Sequence, residues 1–370
     1  SKGTTALEPT DSSEPAIVWN AQNLQPGAAS VVVDDGRLFL VNRAGVLTCA
    51  GAADGKILWT RSNAYEDVYT AEEVAEANKA KTFHDQKAAA EGQVVKLKRR
   101  LKKSPKNEKI KAMIAKLTAE AAALASKAEP YARMALPDTH PVNGHSTPTP
   151  VSDGKNVYVM YCLGTVACYD LAGNRKWITF VEKPKRGYGH SSSPVLIGDK
   201  LIVHILDAVA LDTATGKEVW RAKSSCAWGT GIHVKVAETD LLFTPSGDAI
   251  DVADGKVVAR RLSKLEFATP VREYDVVYYV QNGGKALKLP AAMGEKFAAK
   301  PLWRAKIDSN RYYGSPVIHE GLIYAVTRAG KLSVVDATDG KLVYEKKLGL
   351  GKGEFYASIA VAGANVYISN

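Results

Sequence analysis

The sequence predicts an all-β protein, a seven-bladed β-propeller of four-stranded antiparallel blades, with an inserted antiparallel α-helical hairpin. Three observations carry this expectation. A block of roughly forty residues recurs along the chain, the length of a propeller blade. Each copy alternates Val, Ile, Leu and Tyr between Gly or Asp turns, the pattern of hairpin-linked strands. One segment, residues 70–136, departs from both rules and carries helical spacing. With 46% hydrophobic and 24% charged residues, the composition excludes a disordered chain.

The copies follow one another in order. The first runs from Val31 to Trp59, as an apolar run, a DDG turn, an alternating run and a DGKxLW tail. The second ends at Trp177, the third at Trp220, the fourth at Val258, the fifth at Trp303 and the sixth at Tyr344. From Trp177 onward the tails are 43, 38, 45 and 41 residues apart, close to the length of one blade. A last copy opens at Tyr356 and reaches Asn370 after two strands, while the residues up to Trp19 supply the two strands it lacks. These two pieces predict a seventh blade shared by both termini, which closes the ring by strand pairing and leaves no free sheet edge. Five tryptophans, 19, 59, 177, 220 and 303, share the tail position and are expected to pack between neighbouring blades.

Between the first two tails lies the insertion, which divides the chain into a propeller of residues 1–69 and 137–370 and a hairpin of residues 70–136. Ala90, Val94, Leu97 and Leu101 recur at 4-3-4 spacing, and Ile110, Ile114, Leu117, Ala121 and Leu124 at 4-3-4-3, each set making one narrow apolar stripe on a helix. Ser104 and Pro105 break the two apart. The segment holds 15 Lys or Arg against 8 Asp or Glu, most of the chain's net charge of +10. Nine of those cations fall between Lys96 and Lys111, among them Lys98, Arg99, Arg100, Lys102, Lys103 and Lys106, with Glu108 the one acid. Such a tip either attracts an anionic envelope surface or an acidic protein, or is a solvated coiled coil. With no aromatics interleaved, sequence-specific nucleic-acid recognition is not expected.

The tail GxLxxxDxxTGKxxW, clearest in ALDTATGKEVW and VVDATDGKLVY, resembles the repeat of the pyrroloquinoline quinone (PQQ)-type propeller family. That family includes quinoprotein alcohol and glucose dehydrogenases, an outer-membrane assembly lipoprotein and many exported propellers. The dehydrogenases typically carry eight blades, an adjacent Cys-Cys disulfide and an acidic base beside calcium. Cys49, Cys162, Cys168 and Cys226 include no adjacent pair, and seven blades are counted. The resemblance therefore implies a non-catalytic binding or scaffold protein of the bacterial cell envelope, periplasmic or extracellular once a signal peptide is removed, with no cofactor. The alternative is an oxidoreductase holding a quinone or metal in the channel. The first residues show neither the basic region nor the apolar core of an export signal, and no run of eighteen apolar residues suggests a transmembrane span.

Candidate ligand residues come from the openings of the innermost strands, which line the channel of a propeller. His145, His190, Trp228, Phe267, Tyr313 and Tyr356 read as repeat-equivalent, with Arg186 and Arg311 just before two of them. The set reads either as a channel mouth for a small ligand or as packing at the start of each blade. His145 and His190 in adjacent blades are weak candidates for a shared metal. Cys162 and Cys168 flank a hairpin turn, where a cross-strand disulfide and two buried thiols are both open readings. No HExxH, GxSxG, Walker or GxGxxG element stands in a catalytic context.

Overall fold

The computed structural model describes residues 4–8, 16–27, 29–62, 70–131, 144, 147–161, 164–184, 190–351 and 353–370. The chain forms two compact units, residues 1–63 with 138–370, and residues 64–137. No helix among the described residues is long and apolar enough to cross a membrane.

The larger unit is a seven-bladed β-propeller. Six blades are complete four-stranded antiparallel sheets with strands in chain order, over residues 32–62, 151–180, 195–222, 232–259, 271–304 and 317–347. Two hairpins, Thr4–Glu8 with Ala16–Ala21 and Ala360–Ala362 with Asn365–Tyr367, form separate two-stranded sheets, so the strand pairing between them that the sequence predicts is not present among the described strands. The first strands of successive blades lie side by side from residues 32–34 round to 360–362, so these strands are the innermost.

Strand alternation builds the core between blades. In the first blade Phe39, Val41 and Cys49 point to one face and pack with Val157, Val159 and Tyr169 of the second. Leu38, Leu40 and Ala50 point to the opposite face and pack with Leu24, Trp19 and Ala21. The C-terminal hairpin packs likewise on the sixth blade, where Phe355, Ile359 and Val366 meet Val326 and Val334.

The tail motif has a physical reading in this packing. Its Asp opens the turn between the third and fourth strands: Oδ1 of Asp170, Asp212, Asp251 and Asp336 accepts the backbone N–H two or three residues on. The following Gly, at φ between +68° and +85°, leaves a flat seat where a Cβ would strike an indole. Into each seat sits the tryptophan of the preceding blade, Trp59 over Gly173, Trp177 over Gly216, Trp220 over Gly255 and Trp303 over Gly340. Each indole N–H donates to a turn carbonyl at 2.8–3.0 Å. Trp19 makes the same contact, over Gly55 and donating to the Ala52 carbonyl at 2.9 Å. Trp220→Phe keeps a smaller aromatic face over Gly255 but leaves the Val252 carbonyl without its donor, and should lower stability by about 1–3 kcal/mol in urea denaturation.

The smaller unit is a helical hairpin. Helix α1 (Ala71–Lys103) starts in a reciprocal capping box between Thr70 and Glu73, and α2 (Glu108–Ala128) starts at Asn107, whose side chain accepts the Ile110 N–H. Ala90, Val94, Leu97, Ala121 and Leu124 are buried along the seam. Lys98, Arg99, Arg100, Lys102, Lys103 and Lys106 are all exposed at the tip.

Candidate functional site

A belt of hydrogen bonds sets the register at the openings of the innermost strands. The backbone N–H of Ser30 donates to Thr149 Oγ1, Thr149 N–H to Ser193 Oγ, Ser193 to Thr230, Thr230 to Thr269, Thr269 to Ser315 and Ser315 to Ser358, all at 2.9–3.1 Å. Each hydroxyl residue after Ser30 thus accepts from its counterpart one blade earlier. Seven residues take part, and they define the equivalent positions.

Trp228, Phe267, Tyr313 and Tyr356 each stand two residues before their belt hydroxyl, in four consecutive blades. Three of them touch. Phe267 meets Tyr313 edge to face at 4.7 Å, and Tyr313 stacks on Tyr356 at 4.8 Å and 7°. Tyr356, 64% exposed, ends the row toward solvent. Between aromatic and hydroxyl, Gly229 and Gly314 let neighbouring blades approach closely: a Cβ there would lie 2.2 Å and 2.3 Å from the Ala268 and Ala357 carbonyls.

Charge is arranged around this row. The exposed Arg311 guanidinium lies 5.8 Å from the centre of the Phe267 ring, a cation–π distance. Arg328 reaches the Tyr313 hydroxyl at 3.4 Å and pairs with Glu354 at 3.2 Å, and the Tyr356 hydroxyl donates to the other Glu354 oxygen at 2.7 Å. That bond to a carboxylate, followed by burial, raises the Tyr356 pKa. Arg328 and Glu354 were not found by sequence reasoning, because they precede or follow the repeat motif at no fixed spacing; the stacked tyrosines could have pointed to them. The arrangement offers two ring faces, two guanidinium groups and one carboxylate, suited to stacking a planar or sugar-like group and holding an anion.

His190 does not belong to this row, which corrects the sequence reading. It stands three residues before Ser193 rather than two, so it does not match the aromatics. The repeated Thr-Pro of STPTP offered two alignments, and the belt selects Thr149. The position of His190 corresponds to Tyr312 and Phe355, both buried core residues, and His190 itself is 5% exposed. Burial holds its pKa down at about 3, helped by the neighbouring His204. His145 and Arg186 lie outside the described residues.

What His190 does touch is Cys226, whose Sγ lies 3.3 Å from Nδ1 and 3.4 Å from Nε2. Trp228 stacks near the same imidazole at 6.5 Å and 15°. These residues line a cleft of about 510 Å³ with Pro184, Leu206, Lys264 and Glu266. Cys226 lies outside every repeat motif, so no spacing signalled it. The other cysteines behave differently. Cys49 and Cys168 occupy equivalent strand positions as buried free thiols, with burial pushing their pKa values up to about 11 and about 12. Cys162 lies outside the described residues. Among the described residues no group of three or more His, Cys, Asp or Glu side chains converges on a metal position.

Comparison with known proteins agrees with the fold. A profile of the family described as outer membrane protein assembly factor BamB matches residues 6–96 and 207–370. Among solved structures, BamB from Moraxella catarrhalis superposes with a TM-score of 0.59 at 14% identity, over 99% of this chain and 90% of that one. A europium-containing methanol dehydrogenase superposes with a TM-score of 0.53 at 12% identity, over 93% of this chain and 74% of that one. At these identities the likeness is one of fold. No curated protein matches the sequence.

Proposed function

Since the chain belongs to the family of outer membrane protein assembly factor BamB, we propose that it is a non-catalytic binding and scaffold module of the bacterial cell envelope, which holds a ligand or partner at the channel mouth. The observation that carries this reading is the row of Phe267, Tyr313 and Tyr356 with Arg311, Arg328 and Glu354. Large aromatic faces beside arginine are the groups that dominate binding energy when desolvated by a partner. They sit here on a rigid ring of blades, so little ordering is lost on binding. The basic hairpin tip is a second contact in the same reading, for an anionic envelope surface or an acidic protein, at about 1 kcal/mol for each Lys or Arg brought to such a surface.

The test separates the two contacts. Tyr313→Ala with Tyr356→Ala should lower stability little, because Tyr356 is exposed and Tyr313 half-buried, yet should weaken crosslinking to envelope components at least tenfold. Charge reversal of Arg99, Arg100, Lys102 and Lys103 to Glu should abolish sedimentation with anionic vesicles at 50 mM salt. Should the tyrosine variant crosslink like the parent protein, the mouth is not the binding surface. A visible chromophore in the purified protein would favour the oxidoreductase reading.

A further inference from the structure

The outer edges of the blades differ in a way the mouth does not use. The fourth strand of each complete blade is outermost, and Ala16–Ala21 holds the same place in the N-terminal hairpin. Among the described residues no strand pairs with the far side of any of them. Such an edge carries unpaired backbone N–H and C=O groups and accepts a further strand unless charge, proline or shortness prevents it. Six of the seven are protected in these ways. Ile57–Ser62 carries Arg61, Arg175–Phe180 opens with Arg175 and Lys176, and Glu218–Ala222 holds Glu218 and Arg221. Val257–Ala259 has three residues, Lys300–Arg304 contains Pro301 between two cations, and Leu342–Lys347 ends in Glu345, Lys346 and Lys347. Ala16–Ala21 has none of these devices: AIVWNA runs six residues without a charge or a proline. A bulge leaves Val18 without a cross-strand partner, but the other six strands have a bulge at the matching position, so it does not set this strand apart.

The side chains of this edge are set out for contact. Ile17 is 68% exposed and Val18 55%. Leu7, directly opposite Ile17 on the paired strand, is exposed as well, so the two make an apolar cross-strand pair open to solvent. The first blade, which seats Trp19 over Gly55, continues the surface with exposed Ile57 and Leu58. Single exposed apolar residues are ordinary, whereas five on one edge and its neighbour mark an interaction surface.

Charge and symmetry select the occupant. We propose that this edge is a dimer interface, on which the strand Ala16–Ala21 of a second copy of the chain packs antiparallel about a two-fold axis. In such a contact each copy presents the same patch, so the strand must be its own complement. Ala16–Ala21 meets that condition: antiparallel to itself it brings no like charges together, and each edge offers the backbone groups the other lacks. The same arrangement of Arg175–Phe180 would crowd Arg175 and Lys176 into the contact, and that of Leu342–Lys347 would crowd Lys346 and Lys347. The net charge of +10 opposes association less, because salt at physiological strength screens charges beyond about 8 Å. With one strand of this kind per chain, the association closes at two copies and leaves no edge from which to grow a filament.

The experiment is sedimentation velocity of the full chain over about a hundredfold range of concentration. Reductant is present so that the exposed Cys226 cannot join chains covalently. The parent protein should pass from monomer to dimer. Ile17→Lys with Val18→Lys should raise the dimer dissociation constant at least about tenfold, with an unchanged thermal transition because both side chains are exposed. Val219→Lys, at the matching bulge of a strand that is already charged, should dimerise like the parent. Hydrogen exchange reads the edge without any substitution: amides of residues 16–21 in the parent should exchange more slowly at the highest concentration than at the lowest. A parent monomeric at every concentration would leave the edge to a foreign partner and overturn the proposal. So would a dimer that the double lysine variant keeps, one that Val219→Lys loses equally, or amides that exchange alike at both ends of the range. None of these outcomes bears on the tyrosine variants, so the two readings stand or fall separately.

Discussion

Deleting residues 1–19 should bring the propeller close to complete unfolding at room temperature. The N-terminal hairpin covers the open face of the first blade, where Leu24, Leu40 and Ala50 are almost fully buried and Leu38 nearly so. Removing it also takes away Trp19 from its seat over Gly55 and the Thr4 hydroxyl from the Leu24 carbonyl. At about 1.5–3 kcal/mol for each large side chain returned to water, the loss approaches the 5–15 kcal/mol by which domains are stable. A thermal transition within a few degrees of the parent would refute this. The same hairpin tests ring closure. We propose that it and the C-terminal hairpin of residues 360–367 are two halves of one blade, since each packs on a different neighbour by the contacts that successive blades use. If so, deleting residues 356–370 as well should cost far less than the sum of the two single deletions, because either cut already opens the ring. Additive costs would mean that each hairpin merely caps its own neighbour.

Acid should destabilise the protein well before its carboxylates titrate. His190 and His204 are both buried, and burial lowers the pKa of each, to about 3 for His190. For His204 the Ser224 carbonyl and the charges of Glu182, Asp248 and Asp207 partly offset that effect. Above about pH 7.5 both histidines are neutral whether the chain is folded or not, and they impose no pH dependence. Between about pH 6.5 and pH 3 the unfolded chain takes up a proton that the native His190 refuses, so stability falls as pH falls. The slope is about 1.4 kcal/mol per pH unit, or roughly 2–3 kcal/mol by pH 4.5 from this residue. His190→Phe places at this position the residue type that the last blade carries there, Phe355, and should flatten the profile of urea midpoints between pH 7.0 and 4.5. Equal slopes in parent and variant would remove His190 as the cause.

The blades, the hairpin and the tail tryptophans are legible in the residues alone because each rests on local rules. Alternation of Val, Ile and Leu needs only neighbours two apart, the Asp and Gly of the turn act within five residues, and the apolar stripes from Ala90 to Leu101 and from Ile110 to Leu124 need only the helical repeat. The mouth is another matter. Which residues of different blades are equivalent is settled by hydrogen bonds such as Ser30 to Thr149, spanning 119 positions, and Thr149 to Ser193, spanning 44. No spacing within the SSS after His190 tells whether Ser192 or Ser193 accepts the Thr149 N–H, so His190 took a register that the fold denies it. Cys226 came beside His190, and Arg328 and Glu354 beside the tyrosines, for the same reason: residues on separate strands meet through the packing of blades, and their separation along the chain carries no trace of it.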